Sequence, residues 1–323
     1  MKAGISSDQG LIISEAPVPA PAAHQVLVRV GAAGLNRADL NAARGAGVAT
    51  KSSLGKPIGM EWAGEVVEIG GSVSAFRPGD MVMCSGSGGY AEYAVSDEGR
   101  TIPLAPGFDI TRAAALPLAL MTAHDAVMTR GKFRPGQSIL VHGASSAVGL
   151  MALQIARWRG ARVVAGTSTN PVKRERLAEF GATERLDPAD ITWSDRLLAA
   201  TGGQGVDVAI DMVSGPSINE TMKATAVMGT IVNVGRLGGA KAEFDFDLHA
   251  ARRLNYIGVT FRSRSPDEVR ILVDAMKADL LAPVMSGELA LPIDRTFPLS
   301  EAPEAHRLMA ANGHFGKLVL LPA

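Results

Sequence analysis

Thiols are almost absent from this chain. Cys84 is the single cysteine in 323 residues, so no intrachain disulfide can form and no thiolate cluster can hold a structural zinc ion. It sits in the apolar run Met81-Val-Met-Cys84, where a lone thiol is expected to pack as a small hydrophobe at a strand end. Charge of one sign is also lacking: 32 basic residues balance 32 acidic ones without a block of either. Nucleic acid and anionic membranes both demand a basic face, so both are disfavoured as partners. No apolar run is long enough to span a bilayer, and the opening Met1-Lys-Ala-Gly-Ile5 lacks a signal-peptide core. A cytoplasmic location is the expectation that follows. The six histidines, His24, His124, His142, His249, His306 and His314, form no pair at metal-ligand spacing.

What the chain does have is apolar content, 47% with a mean hydropathy of +0.15, and one informative stretch. Gly136-Gln-Ser-Ile-Leu-Val-His-Gly-Ala-Ser-Ser-Ala-Val-Gly149 runs into Leu150-Met-Ala-Leu-Gln-Ile-Ala-Arg157. The order is buried strand, turn of small residues, then a helical stripe of Val148, Met151, Ala152 and Ile155. A helix N-terminus with uncovered N–H groups attracts pyrophosphate, and small side chains let phosphate approach the backbone. Ala144 and Ser146 replace the first two glycines of the usual G-x-G-x-x-G, so the flanking context carries the signal rather than the pattern.

Residues before about Leu116 read as β-rich. Gln25–Val30, Glu61–Ile69, Met81–Cys84 and Tyr90–Val95 are expected strands, punctuated by prolines, which suggests a compact barrel. The rhythm then changes to strand–helix alternation, with strands expected at Ser138–Val141, Arg162–Ala165, Val206–Ile210, Thr230–Val234 and Tyr256–Phe261. Gly160, Gly181 and Gly229 stand at plausible helix caps. This is the pattern of an α/β, doubly wound parallel sheet. The tail reads as a strand at Ile293–Pro298, a helix at Ser300–Ala311 and a strand at Leu318–Leu321.

The ordered set of segments resembles the medium-chain dehydrogenase/reductase superfamily, and within it the zinc-free quinone oxidoreductases. The segments are Gly34-Leu-Asn-Arg-Ala-Asp-Leu40, Pro57-Ile-Gly-Met-Glu-Trp-Ala-Gly64, Pro78-Gly-Asp80, Gly88-Gly-Tyr-Ala-Glu-Tyr93, Leu116–Ala123, Gly143–Gly149, Phe261-Arg-Ser-Arg264, Pro292–Pro298 and Gly316-Lys-Leu-Val-Leu320. The resemblance implies a GroES-like catalytic domain from residues 1–116 and 285–323. A Rossmann NADPH-binding domain of residues 117–284 is inserted between, with a cofactor cleft where the two meet. It also implies a homodimer formed through the Tyr256–Phe261 edge strand.

Zinc alcohol dehydrogenases of that superfamily carry Cys where Asn36 stands and His where Met60 stands. Asn36 is a weak oxygen ligand and Met60 a poor thioether one, so no metal is expected. The cofactor expectation is NADPH. The strand ending Val164-Ala-Gly-Thr-Ser-Thr-Asn170 has no acid for a ribose 2′-hydroxyl, while Thr167, Ser168, Lys173 and Arg174 suit a 2′-phosphate.

By resemblance, Asn36 lies by the nicotinamide ribose or substrate, Thr122 near the nicotinamide-side phosphate, and Ser145, Ser146, Ala147 and Val148 at the pyrophosphate. Asn233, Val234, Gly235 and Arg236 would cross the carboxamide. Phe261, Arg262, Ser263, Asn312 and Lys317 would cap the cleft. Asn36, Asn41 and Tyr90 are the residues expected nearest the chemistry, and the Arg44–Ser53 loop is expected to shape the acceptor pocket. The expected reaction is hydride transfer to a quinone. The alternatives are reduction of a conjugated enoyl or alkenal double bond, and a non-catalytic NADPH-binding protein.

Overall fold

The computed structural model describes residues 1–44 and 54–322. Residues 45–53 of the expected acceptor loop therefore lie outside the described residues. The chain divides into two compact units, Met1–Ala119 with Arg264–Ala323, and Leu120–Ser263.

The first unit opens with a hairpin of β1 (Lys2–Ser7) and β2 (Gly10–Glu15), which was not among the expected strands. Then come β3 (Gln25–Gly34), α1 (Arg37–Ala42), β4 (Glu61–Ile69), β5 (Met81–Ser85), β6 (Tyr93–Asp97), β7 (Thr101–Pro103) and α2 (Ile110–Ala113). β3 is the spine of this sheet. It pairs antiparallel with β4 along its whole length, and with β6 on its other side. Register shifts at Leu27/Val28 and Val30/Ala32 bend it, which is why Val26, Leu27 and Val28 are all buried where strict alternation would expose one of them. The expected Tyr90–Val95 strand starts only at Tyr93, because Tyr90 pairs elsewhere: its N–H donates to Ile58 O and its carbonyl accepts from Gly4 N.

Chain entry to the second unit is through α3 (Pro117–His124). Its elements are β8 (Ser138–His142), α4 (Ala147–Trp158), β9 (Val163–Thr167), α5 (Pro171–Arg176), β10 (Glu184–Leu186) and α6 (Trp193–Ala200). β11 (Val206–Asp211), α7 (Ile218–Ala224), β12 (Thr225–Asn233), α8 (Phe246–Arg252) and β13 (Asn255–Gly258) complete it. The parallel sheet runs β10-β9-β8-β11-β12-β13, the doubly wound order expected from the alternating pattern. Every residue of β8 and β9 is buried, as in strands covered by helices on both faces.

Three details differ from expectation. β10 is a three-residue edge strand without a β-branched residue, so nothing in its composition announced it. Gly229 lies inside β12, beside a register shift against β11, rather than at a cap. β13 ends at Gly258 instead of Phe261, because the Thr260 hydroxyl accepts from Arg262 N and turns the chain.

The tail returns to the first unit with α9 (Pro266–Met285), β14 (Ile293–Pro298), α10 (Ala302–Ala310) and β15 (Lys317–Leu321). Whereas the resemblance implies a second domain that runs to residue 284, α9 groups with the first unit. One reason is visible at its start, where the Arg270 guanidinium holds both carboxylate oxygens of Asp97, at 2.9 and 2.6 Å. β15 joins β3 antiparallel and β14 parallel, which brings the head of β15 beside the end of β3.

Candidate active site

In the second unit, β8 delivers the chain into the turn Gly143-Ala144-Ser145-Ser146, and α4 begins at once. Gly143 takes φ +68°, a left-handed conformation that glycine adopts without strain. The turn is locked from the neighbouring strand: Ala144 N donates to Thr167 O at 2.9 Å, and Gly143 N to the Thr167 hydroxyl at 3.2 Å. Ser146 caps the helix, accepting from Gly149 N at 3.2 Å and donating to Gly143 O at 2.9 Å. Gly149 is required by space, since a Cβ there would lie 2.6 Å from Ala144 Cα and 2.7 Å from Ala144 O. With the Gly149 and Leu150 N–H groups bonded to Ser146, those of Ala147 and Val148 head a helix with no intrahelical acceptor. Ser145 through Val148 are all half-exposed, as a phosphate cradle needs.

The surroundings of the cradle redistribute several expected roles. Thr167 is buried, and its hydroxyl holds the turn rather than facing a ligand. His142 is buried as well, with its ring nitrogens 3.3 Å from Thr167 Oγ1 and 2.9 Å from Thr221 Oγ1. Burial holds this imidazole below its ordinary pKa. Ser168 is nearly covered and contacts Ser145 Oγ at 3.3 Å. Arg174 is tied to Asp187 at 2.9 Å and to Ser168 O at 2.8 Å, so it braces the end of β9. Lys173 is half-buried on the first turn of α5. Among the described residues no carboxylate stands at the end of β9 itself.

At the end of β12 the expected carboxamide groups are committed internally. Asn233 Nδ2 donates to Ser214 Oγ, Val234 N donates to Asp211 O at 2.7 Å, and Gly235 O accepts from Ser214 Oγ at 2.7 Å. Arg236, Arg262 and Ser263 are exposed, while Thr122 and Phe261 are half-buried.

The first unit holds a buried polar cluster that the sequence reading met only in pieces. Asn36 follows β3 and stands at the N-cap of α1, and its amide also reaches the charged groups behind it. Nδ2 donates to Glu61 Oε1 at 2.9 Å, and Oδ1 accepts from Lys317 Nζ at 3.0 Å. Lys317 also bonds Leu35 O at 2.7 Å and pairs with Glu61 Oε1. Glu61 Oε2 accepts from Leu118 N at 2.7 Å. Glu61 is 0% and Lys317 2% exposed, so this is an ion pair with every strong partner in place. The expected contact between Lys317 and a cofactor has no proton left to make it: an ammonium carries three, and all three have acceptors here.

Tyr90 fares similarly. It is fully buried, and its hydroxyl donates to Asp39 Oδ2 at 2.9 Å. Burial, reinforced by the Asp39 carboxylate, lifts the phenol well above its usual range, so it is a poor proton donor to substrate. Asn41 stands exposed on α1. Asn312 is bonded through its side-chain oxygen to the Arg37 guanidinium. The burial of Cys84 pushes its thiol up to about 12 and leaves it inert.

Asp39 is the strained member of the cluster. Oδ2 accepts from Asn36 N at 2.9 Å and from Tyr90, but buried Oδ1 has no partner. Desolvation outweighs those bonds and lifts its pKa to about 7. An acid whose pKa is raised by folding contributes stability that is full below its unfolded value near ~4 and lost as pH rises through the folded one. The expected outcome is that Asp39→Asn gains melting temperature relative to wild type between about pH 4 and pH 8. Parallel melting curves across that window would contradict it.

Two family models match the chain: the alcohol dehydrogenase GroES-like domain over residues 22–106 and the zinc-binding dehydrogenase over residues 147–278. Among the described residues no group of three or more His, Cys, Asp or Glu is arranged to hold a metal ion. The quinone oxidoreductase of Rattus norvegicus is 33% identical over 311 residues, covering 95% of this chain and 92% of that protein. A solved NAD-dependent alcohol dehydrogenase superposes with a TM-score of 0.85 at 29% identity, each chain covered completely. A mycobacterial protein solved in complex with NADPH gives 0.87 at 25% identity, again with complete coverage of both. With the cradle, the sheet order and this extent of identity together, the chain belongs to the quinone oxidoreductase family of the medium-chain dehydrogenase/reductase superfamily and is an oxidoreductase.

Proposed function

We propose that this protein reduces quinones with NADPH as the electron donor and without a metal ion. The observation that carries the reading is the cradle: a helix start with two N–H groups lacking helical partners, behind a turn where even one methyl at Gly149 would strike backbone. Such a site fits a pyrophosphate. When bound, the dihydronicotinamide supplies the hydride, and the protein supplies orientation and electrostatics. Ala147 and Val148 N–H groups would hold the pyrophosphate, flanked by Ser145 and Ser146.

The preference for the phosphorylated coenzyme rests on the end of β9, which offers Ser168 and the nearby Lys173 but no acid. A quinone is already electrophilic and needs no Lewis acid. The donor set around Asn36 supports a metal-free reaction, because the Lys317 ammonium already supplies a cation to Glu61 and would repel a second. Tyr90 being sealed, no side-chain acid is assigned. The oxygen that gains charge on reduction would accept from the Asn36 amide, and its proton would come from solvent or the cofactor ribose.

The same reading makes the protein a cytoplasmic homodimer joined through β13. That strand is the last in the sheet order, Tyr256 on it is exposed, and exposed Phe246 stacks beside it through Phe244.

An acceptor panel checks the assignment. NADPH oxidation by a simple quinone is expected to exceed that by a conjugated enone, and NADPH to outperform NADH by about tenfold or more in kcat/KM. Faster turnover of the enone would transfer the assignment to carbon–carbon double-bond reduction. No turnover with any acceptor despite cofactor binding would leave a binding protein.

A further inference from the structure

A primary amide can sit either way round about its last torsion, and the two orientations present opposite chemistry outward. Charge selects one of them at Asn36. The Lys317 ammonium faces Oδ1 at 3.0 Å, and the Glu61 carboxylate faces Nδ2 at 2.9 Å. Turning the amide over would set its NH2 against the ammonium and its carbonyl against the carboxylate. Neither charged partner can swing away to relieve that. Lys317 is anchored on Leu35 O at 2.7 Å, and Glu61 on Leu118 N at 2.7 Å. Asn36 itself is only half-buried, unlike the pair behind it. Its second N–H is therefore the donor left for a molecule outside the cluster.

We propose that Lys317 and Glu61 are positioning residues that fix the Asn36 amide so that it offers an N–H, not a carbonyl oxygen, to the acceptor. The proposal rests on the quinone-reductase reading for the identity of the acceptor: its oxygen gains negative charge on reduction and needs a donor. The orientation of the amide does not rest on that reading. A stabilising role alone accounts poorly for the arrangement. Apolar residues of similar volume commonly do as well as a buried ion pair, whereas a pair of opposite charges can impose one orientation on a neighbour.

The test is the double variant Lys317→Met with Glu61→Gln. It removes both charges together, so none is left buried alone, and the amide that replaces the carboxylate can donate or accept with equal ease. The melting temperature and the NADPH dissociation constant are expected to stay close to wild type, while kcat for quinone falls by roughly 100-fold. In the cofactor-free protein the Asn36 side-chain amide resonance, assigned as the one missing from Asn36→Ala, is expected to move. If the double variant does not fold, Lys317→Gln with Glu61→Gln, which also removes both charges but keeps polar groups at both positions, is expected to show the same kcat deficit and the same displaced resonance. Wild-type kcat in a folded variant, or an unmoved resonance, overturns the proposal. A wild-type protein inert towards quinones while the resonance still moves overturns the functional reading and upholds the fixed amide.

Discussion

Gly149→Ala raises the NADPH dissociation constant by roughly 100-fold, equivalent to about 3 kcal/mol. The added methyl would sit 2.6 Å from Ala144 Cα and 2.8 Å from Ala144 C, both backbone atoms that no rotamer change can remove. Relief comes only by prising the start of α4 away from the turn. That movement shifts the Ala147 and Val148 N–H groups and breaks the grip of Ser146 on Gly149 N and Gly143 O. Overpacking of this kind costs about 1–3 kcal/mol in stability as well. Cofactor titration by fluorescence, with circular dichroism to show that the fold persists, measures the effect. An unchanged dissociation constant would mean that phosphate is held elsewhere.

Lys317→Met on its own is expected to be the most destabilising single change in the first unit. It leaves the Glu61 carboxylate, 0% exposed, with no opposing charge. Breaking a buried pair from one side costs about 3–5 kcal/mol, because the stranded charge stays desolvated. In a protein of this size that lowers the melting temperature by about 10 °C. Adding Glu61→Gln recovers most of the loss, since the cost comes from the uncompensated charge rather than from the missing contact. Equal melting temperatures for the single and double variants would show that Glu61 finds another partner or takes up a proton.

The legibility of the chain divides along physical lines. Where a run of residues answers to one local rule, the sequence was readable. Ser138–His142 followed by Ala147–Trp158 is a buried strand feeding a helix, and the small residues between them announced the turn. Asn255–Gly258 was read too long because the hydroxyl of Thr260 redirects the chain, and side-chain-to-backbone bonds leave no periodic trace.

The cluster around Asn36 was harder, since its members come from four separated segments and meet only through tertiary packing. A signal did exist. Glu61 stands in the apolar stretch Ile58-Gly-Met-Glu-Trp-Ala63, and Lys317 heads the apolar run Lys317-Leu-Val-Leu-Leu321. Two lone, opposite charges, each set in an apolar strand, are candidates for one another, because neither can be buried unpaired. Asp39 and Tyr90 were not legible as a pair, since either would fit an ordinary surface helix or a barrel core.

Transfer of hydride from bound NADPH to an already activated acceptor, with the Lys317 ammonium as the cation beside the Asn36 amide, is tested most directly by chelation. Purified protein is dialysed against a strong chelator, and NADPH oxidation by a simple quinone is then followed by absorbance. Turnover is expected to be unchanged before and after treatment, and unchanged again on adding zinc. Loss of turnover on chelation, with recovery on adding zinc back, would contradict it.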